Sequence, residues 1–405
     1  MNRRQFLLGL GAASASTLLY GGVRFWPDDG LINPCLSGLP HALKQHPLMQ
    51  KIWGGIQADH VWDCHTHVVG AGDDNSGAWF TPNMDAWQHP ILKTQKYFYM
   101  NAACLSKGNE DTTFVTRIAQ LASEMPTGYK SMLFAFDWVH DEQGKPNQAQ
   151  SIFHIPNAYA AKIAQTYPHQ FEWVASIHPY RKDAVDALEA AYHNGARAIK
   201  WLPSGMNINP ASKKCDRFYQ KLQALNLPII THTGRELAVQ GGDQAHGNPL
   251  HLRHALDHGV RVVMAHCASD GEDIDLENLG KSIQSFDLFT RLMDTPDYQK
   301  LIFGEISATT LFNHAWVIKP LLERTDWHQR LLNGSDYPLP GVMPLVSTNN
   351  LARQGLLHHD DLAFLQALRR YNPLMFDFAV KRLLNINGHG FSTDVFHTRT
   401  FFQQA

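Results

Sequence analysis

Two histidines separated by one residue, in Asp63-Cys64-His65-Thr66-His67, open a series of side chains suited to binding a metal ion. The others stand far apart in the chain: Lys200, His232, His266 and Asp336. In an extended chain the side chains of residues i and i+2 point to the same side, so His65 and His67 can share one ion. His232 and Asp336 complete a nitrogen-rich set with one carboxylate, which suits Zn²⁺, with Mn or Fe as the other candidates. A metal ion lowers the pKa of bound water to about 7 and so makes hydroxide available near neutral pH. Asp336 would hold that hydroxide and carry its proton to the leaving group, while His266 or the metal polarises the scissile carbonyl or phosphoryl oxygen. Taken singly, each residue could be an ordinary loop or core side chain. The conjunction carries the weight, and it depends on elements that bring the five places together.

Those elements are short β-rich runs alternating with helical segments, the pattern of a parallel α/β domain. Eight strand candidates can be counted: Val61–Cys64, Ser131–Phe136, Glu172–Ile177, Ala196–Trp201, Leu227–Thr231, Arg261–Ala265, Leu301–Ile306 and Arg330–Asn333. Between the third and fourth, Ala184, Val185, Leu188, Ala191 and Tyr192 share one helical face, and Gly195 fits a helix stop. Eight such units predict a closed (β/α)₈ TIM barrel, which gathers the C-terminal ends of its strands on one face. Strand one runs into His65 and His67, strand four ends at Lys200, strand five at His232 and strand six at His266. Strand eight runs through Gly334-Ser335 to Asp336. The barrel is expected over residues 55–385, with a capping insertion at 70–128 after strand one and a helical C-terminal extension ending in a tail at 386–405.

The bulk composition agrees with one large elaborated globular domain: 44% hydrophobic and 18% charged residues over 405 positions. Lys plus Arg (35) balance Asp plus Glu (37), so charge makes no case for nucleic acid or an anionic membrane as partner. Five scattered cysteines without a CxxC pair point to neither a disulfide framework nor a cysteine zinc site. Residues 1–30 read as an export signal or N-terminal anchor. Arg3-Arg4-Gln5-Phe6-Leu7 resembles a twin-arginine motif, followed by an uncharged stretch rich in Gly, Ala and Ser. Asn2 departs from the Ser or Thr usual there. This reading implies the twin-arginine export machinery as a partner and a periplasmic location, with cleavage or retention of the signal left open.

The motifs Asp63-x-His65-x-His67, Ile199-Lys200, Thr231-His232-Thr233-Gly234, Ala265-His266 and Gly334-Ser335-Asp336-Tyr337-Pro338 resemble the amidohydrolase superfamily, in its amidohydrolase-related branch. The resemblance covers roughly residues 55 to 385. It implies a barrel enzyme whose metal activates water to attack an ester, lactone, amide or related bond of a small substrate. It also implies an alternative, because some members of the branch decarboxylate aromatic or unsaturated carboxylic acids with a single metal. Two metal readings stay open. In binuclear members the strand-four lysine is carboxylated and bridges two ions. Carried over, that places His65, His67, Asp336 and Lys200 on one ion and Lys200, His232 and His266 on the other. In the mononuclear reading His65, His67, His232 and Asp336 hold the ion, and His266 is an acid/base or substrate-polarising group.

For substrate contacts, Trp138, Trp201 and Tyr337 lie just beyond strand ends, and the insertion carries Trp79, Phe80, Trp87 and Tyr97-Phe98-Tyr99. An aromatic-lined space would favour an apolar or aromatic small molecule. Arg235 is a candidate to hold a substrate anion. Strand alternation predicts that Cys64 and Cys267 point away from the site. Self-association into a homo-oligomer is compatible with all of this.

Overall fold

A computed structural model describes residues 27–239, 242–278 and 280–403, so the twin-arginine-type segment lies outside the described residues. Eight strands form its centre: β1 Trp62–His67, β2 Lys130–Phe134, β3 Phe171–Val174, β4 Ile199–Trp201, β5 Ile229–Thr231, β6 Val262–Met264, β7 Ile302–Glu305 and β8 Leu331–Leu332. Strands β1 to β3 pair in parallel order, as do β4 to β8. The bridge Ala175↔Ile199 joins the two groups on one side, and Thr66↔Tyr337 joins them on the other. The ring is the TIM barrel expected, and each strand overlaps the span predicted for it.

Inward-facing residues of the strands, among them Trp62, Met132, Val174, Ile230 and Val263, form an inner cluster that Phe402 also joins. Thr398 ties this C-terminal segment to the start of β1, since its hydroxyl accepts from the Trp62 amide at 2.9 Å. Residues 399–403 thus close the barrel at the N-terminal ends of the strands, opposite the ligand-bearing ends.

The outer layer is helical where apolar residues recur at helical spacing. In Asp216–Leu225 the buried residues are Phe218, Tyr219 and Leu222, and Asn226 ends the helix with a left-handed φ of 50°. Burial of Phe218 and Leu222 against the sheet is worth about 1.5–3 kcal/mol each. The helix foreseen between the third and fourth strands is Ala184–His193, and Gly195 follows it with φ 86°.

The insertion after β1 is only partly a cap. Its second helix, Glu110–Ser123, buries Phe114, Ile118 and Leu121 and serves as the outer helix of the first unit. The cap proper holds a strand pair, Trp79–Phe80 with Phe153–His154, and the helix Pro90–Ala102. Here the cysteine reading needs correction. Cys35 and Cys104 form a disulfide with a Cα–Cα distance of 5.6 Å, tying the segment before the barrel to the cap. Spacing could not reveal it, because the partners stand 69 residues apart. The other cysteines, Cys64, Cys215 and Cys267, are free and buried.

Candidate metal centre

The geometry of β1 decides what its two histidines can do. Asp63 pairs with Ser131 and Thr66 with Leu133, so β1 carries one more residue than β2 across that stretch. Such a bulge breaks strict alternation. Cys64 therefore joins the inner cluster, against the expectation that it points away, while the His65 ring also lies inside, 4.7 Å from Phe134. Cys267 does turn outward, with its Sγ 3.4 Å from the Glu305 carbonyl in the outer core.

At the strand ends, His65 Nε2 stands 3.3 Å from His67 Nε2. Asp336 Oδ1 is 3.3 Å from His65 Nε2 and 3.0 Å from His67 Nε2. Donor atoms about 2.0–2.2 Å from a common ion are roughly 2.8–3.6 Å apart, from octahedral to tetrahedral geometry. The three atoms therefore have the mutual spacing of ligands around one divalent cation, and the donor set fits the group. Lys200 Nζ is 3.3 Å from His65 Nε2 and 4.9 Å from the centre of the Phe134 ring. On the far side, His266 Nε2 lies 3.8 Å from Asp336 Oδ2, and the His232 ring is 5.3 Å from that of His266. All six residues singled out as ligands converge on one face.

Glu305, at the end of β7, was not among them. It is fully buried, and its Oε1 accepts from His65 Nδ1 (2.9 Å), the His266 amide (2.9 Å) and the Ser307 hydroxyl (2.7 Å). Burial alone would raise its carboxyl, but the His65 ring beside it and the hydrogen bonds from His65 and Ser307 outweigh burial and hold it below the ordinary glutamate range. As a carboxylate it can only accept. His65 must then carry its proton on Nδ1, which leaves Nε2 for a metal. His266 Nδ1 faces the Ser307 carbonyl at 3.1 Å, which turns its Nε2 toward Asp336 in the same way. Glu305 and Ser307 thus orient two rings at once. The signal in the sequence was a carboxylate ending the seventh strand candidate, with no histidine beside it to draw notice.

Glu305→Gln should weaken metal affinity by about 10–100-fold while leaving the fold intact, as loss of an outer-shell partner of a ligand histidine does. Metal titration of the purified variant checks this, and an affinity equal to wild type would remove the orienting role.

Burial sets the remaining titration behaviour. It lowers the His65 imidazolium to about 4 and that of His266 well below its ordinary value, so both rings are neutral at pH 7. It lowers the Lys200 ammonium to about 8, against the pull of Glu305 and Asp336. Asp336 is held well below the usual carboxylate range: burial opposes this, but His65 and a hydrogen bond from His67 prevail.

The backbone at these ends is strained. His266, Cys267 and Ala268 have φ of 56°, 51° and 50°, and Asp336 has 59°. Left-handed conformations in non-glycine residues cost about 1–3 kcal/mol each and cluster at functional sites. Gly334 is required for another reason, since a Cβ there would come within 2.7 Å of His65 Cβ.

The expected substrate residues fare differently. Trp201 is fully buried between sheet and outer helix, stacked on Phe218 at 5.4 Å with its indole N–H on the Ile177 carbonyl. Tyr337 is buried with its ring 6.5 Å from Phe114 of the outer helix. Both placements correct the expectation that these rings line the substrate space. Trp138 stacks on His154 at 4.1 Å and lies 5.0 Å from Trp79, at the seam between cap and barrel. Arg235 is half exposed and bound by Asp270, at 2.9 Å from Nη2 and 3.3 Å from Nε. Two residues not foreseen stand nearer the ligands. Glu236 Oε2 is 3.5 Å from His232 Nε2. The buried His314 takes a 2.6 Å hydrogen bond with Ser269, 5.9 Å ring to ring from His266. Burial, with a smaller contribution from Glu236 and Asp336, raises the hydroxyl of Tyr99 in the cap helix above the ordinary tyrosine range, so it stays protonated.

The amidohydrolase family model matches residues 62–375. No curated protein matches the sequence. Among solved structures, an uncharacterized TIM-barrel protein from Bordetella bronchiseptica is similar at 16% identity and TM-score 0.44, covering 76% of this chain and 99% of its own. A candidate 2-pyrone-4,6-dicarboxylic acid hydrolase from Pseudomonas putida gives 14% identity and TM-score 0.43, covering 79% of this chain and 98% of its own. A 5-carboxyvanillate decarboxylase from Novosphingobium aromaticivorans, solved with manganese, gives 11% and 0.42, covering 86% of this chain and 99% of its own. With its family match spanning the whole barrel and every strand-end ligand on it, the chain belongs to the amidohydrolase family of metal-dependent TIM-barrel enzymes.

Proposed function

We propose that the protein is a hydrolase that opens an ester, lactone, amide or related bond of a small substrate. The observation that carries this is the placement of Asp336. Its Oδ1 stands among the His65 and His67 donors, and its Oδ2 faces His266. A divalent cation held by these donors, zinc by the donor chemistry and Mn or Fe otherwise, supplies the charge that makes water acidic near neutral pH. Asp336, ionised at that pH, accepts the proton of the attacking water and returns it to the leaving group. His266, neutral with its hydrogen on Nδ1 against the Ser307 carbonyl, presents the Nε2 lone pair to the site as a base or ligand, so polarising the carbonyl oxygen would fall to the cation. Arg235, the residue expected to hold a substrate anion, is paired with Asp270 at 2.9 Å.

The neutral His266 also supports the second reading, decarboxylation of an aromatic acid. Assay of metal-loaded enzyme against ester, lactone, amide and aromatic-acid panels separates the two. Turnover confined to aromatic acids, with release of CO₂, would replace hydrolysis by lyase chemistry.

We further propose that Lys200 is carboxylated and bridges two ions. A second cation near the first needs an anion between them to offset repulsion, and Lys200 Nζ is buried beside His65 Nε2. Wild type should bind two metals per chain and Lys200→Ala one or none, with partial recovery by short carboxylic acids. Equal stoichiometry of one in both proteins removes the bridge.

Export is the remaining proposal. The Cys35–Cys104 disulfide supports it, because disulfides persist in oxidising compartments. Replacing Arg3 and Arg4 by Lys should trap the folded protein in the cytoplasm. Unchanged periplasmic accumulation, seen on fractionation, would show that the paired arginines are not the address.

A further inference from the structure

Away from the barrel mouth, two outer helices place three metal-type donors against one another. Asp216 begins the helix Asp216–Leu225, His254 lies in the helix Arg253–Asp257, and His258 caps its end. These helices follow β4 and β5 and are neighbours in the outer layer. His254 Nε2 is 2.7 Å from Asp216 Oδ1, and His258 Nε2 is 4.0 Å from the same oxygen. The three donor atoms all lie within 4.8 Å of one another.

The orientation of His258 is not left to chance. Its Nδ1 sits 2.7 Å from the His254 carbonyl. A carbonyl only accepts, so Nδ1 carries the hydrogen and Nε2 is the atom offered toward Asp216. This is the arrangement by which a metal-binding imidazole is commonly held, with its second nitrogen on a main-chain acceptor. The spacing of four between His254 and His258 sets both rings on one side of a helical turn. Tyr219 walls the other side, 5.5 Å from the His254 ring and 5.6 Å from that of His258, and is itself fully buried. The three donor side chains keep 24–37% of their surface open to solvent, which leaves room for water to complete a coordination shell.

From this geometry we infer a second metal site, distinct from the barrel centre: Asp216, His254 and His258 bind one divalent transition ion and join the outer helices of the fourth and fifth units. Two imidazoles and one carboxylate favour Zn²⁺ among common ions and disfavour Ca²⁺ and Mg²⁺, which prefer all-oxygen shells. To reach donor separations of roughly 2.8–3.6 Å, the 4.0 Å separation closes by about an ångström or less, within the reach of partly exposed Asp and His side chains. Because an ion here binds only the folded arrangement, it stabilises the protein by mass action.

The test uses the full chain, stripped with a chelator and titrated with Zn²⁺ alone, reading bound metal per chain and the melting temperature. Against wild type, His258→Ala should lose one equivalent and the part of the zinc-dependent rise in Tm that this site contributes, yet keep the activity of the metal-loaded enzyme. Asp216→Asn preserves the acceptor for His254 and should lose the same equivalent, which guards against a mere folding defect. His65→Ala, impaired at the barrel centre, should keep the outer equivalent. If either His258→Ala or Asp216→Asn takes up as much zinc as wild type with the same Tm response, the cluster is only a surface hydrogen bond between helices.

Discussion

Replacement of His65 or His67 by alanine is expected to remove tight metal retention and, with it, activity. Their Nε2 atoms are 3.3 Å apart, and each lies within 3.3 Å of Asp336 Oδ1, so either change deletes one corner of the donor triangle. Loss of an outer partner costs about 10–100-fold in metal affinity, and loss of a direct ligand must cost at least as much. The two variants should differ in stability. His65 is buried and occupies the Glu305 carboxylate. Removing it leaves a buried acceptor short of one donor, at a cost of about 1–3 kcal/mol. The His67 side chain is 27% exposed, so His67→Ala should cost less and is the cleaner experiment. Metal per chain, turnover and thermal melting together give the answer. A well-folded His67→Ala protein with wild-type metal content and activity would remove the barrel-mouth centre as the seat of chemistry.

The barrel and its ligand-bearing ends were legible because both depend on patterns that short windows of sequence preserve. A buried parallel strand is an apolar run, and a ligand at its end is a polar residue in a fixed place. What went unread depends on geometry across strands. The bulge between Asp63 and Thr66 is a mismatch of two strands, invisible in either one, and it carries Cys64 inward. Trp201 could have been placed better. Within β4, Lys200 faces the site, so its neighbours Ile199 and Trp201 must face the outer helices, where both are found. Tyr337 follows Asp336, whose left-handed φ redirects the chain, and no periodicity signals such a turn. Glu305 ends a strand as the ligands do, but its task is to orient rings. That task shows only when His65 and His266 are seen to share its one oxygen. The Cys35–Cys104 pair needed the folded cap to bring its partners together.

Asp336→Asn should lower kcat by about 10²–10⁴-fold, the usual contribution of a positioned proton-transfer group, while the protein stays folded. The substitution is chosen to isolate charge and proton affinity from shape. Asn is among the few residues that tolerate the left-handed region, so the φ of 59° is not a new source of strain. The main-chain bonds of the turn, from the Asp336 amide to the His65 carbonyl (2.7 Å) and from the Leu339 amide to the Asp336 carbonyl (2.9 Å), do not involve the side chain. An amide can still present one oxygen toward His65 and His67, so metal binding should weaken rather than vanish. It cannot take up the proton of an attacking water. The comparison is therefore made at saturating metal, where a residual defect in kcat reports proton transfer and not occupancy. A variant that turns over within about threefold of wild type under those conditions would show that Asp336 serves only as a ligand. The acid/base role would then pass to His266, whose Nε2 lies 3.8 Å from Asp336 Oδ2.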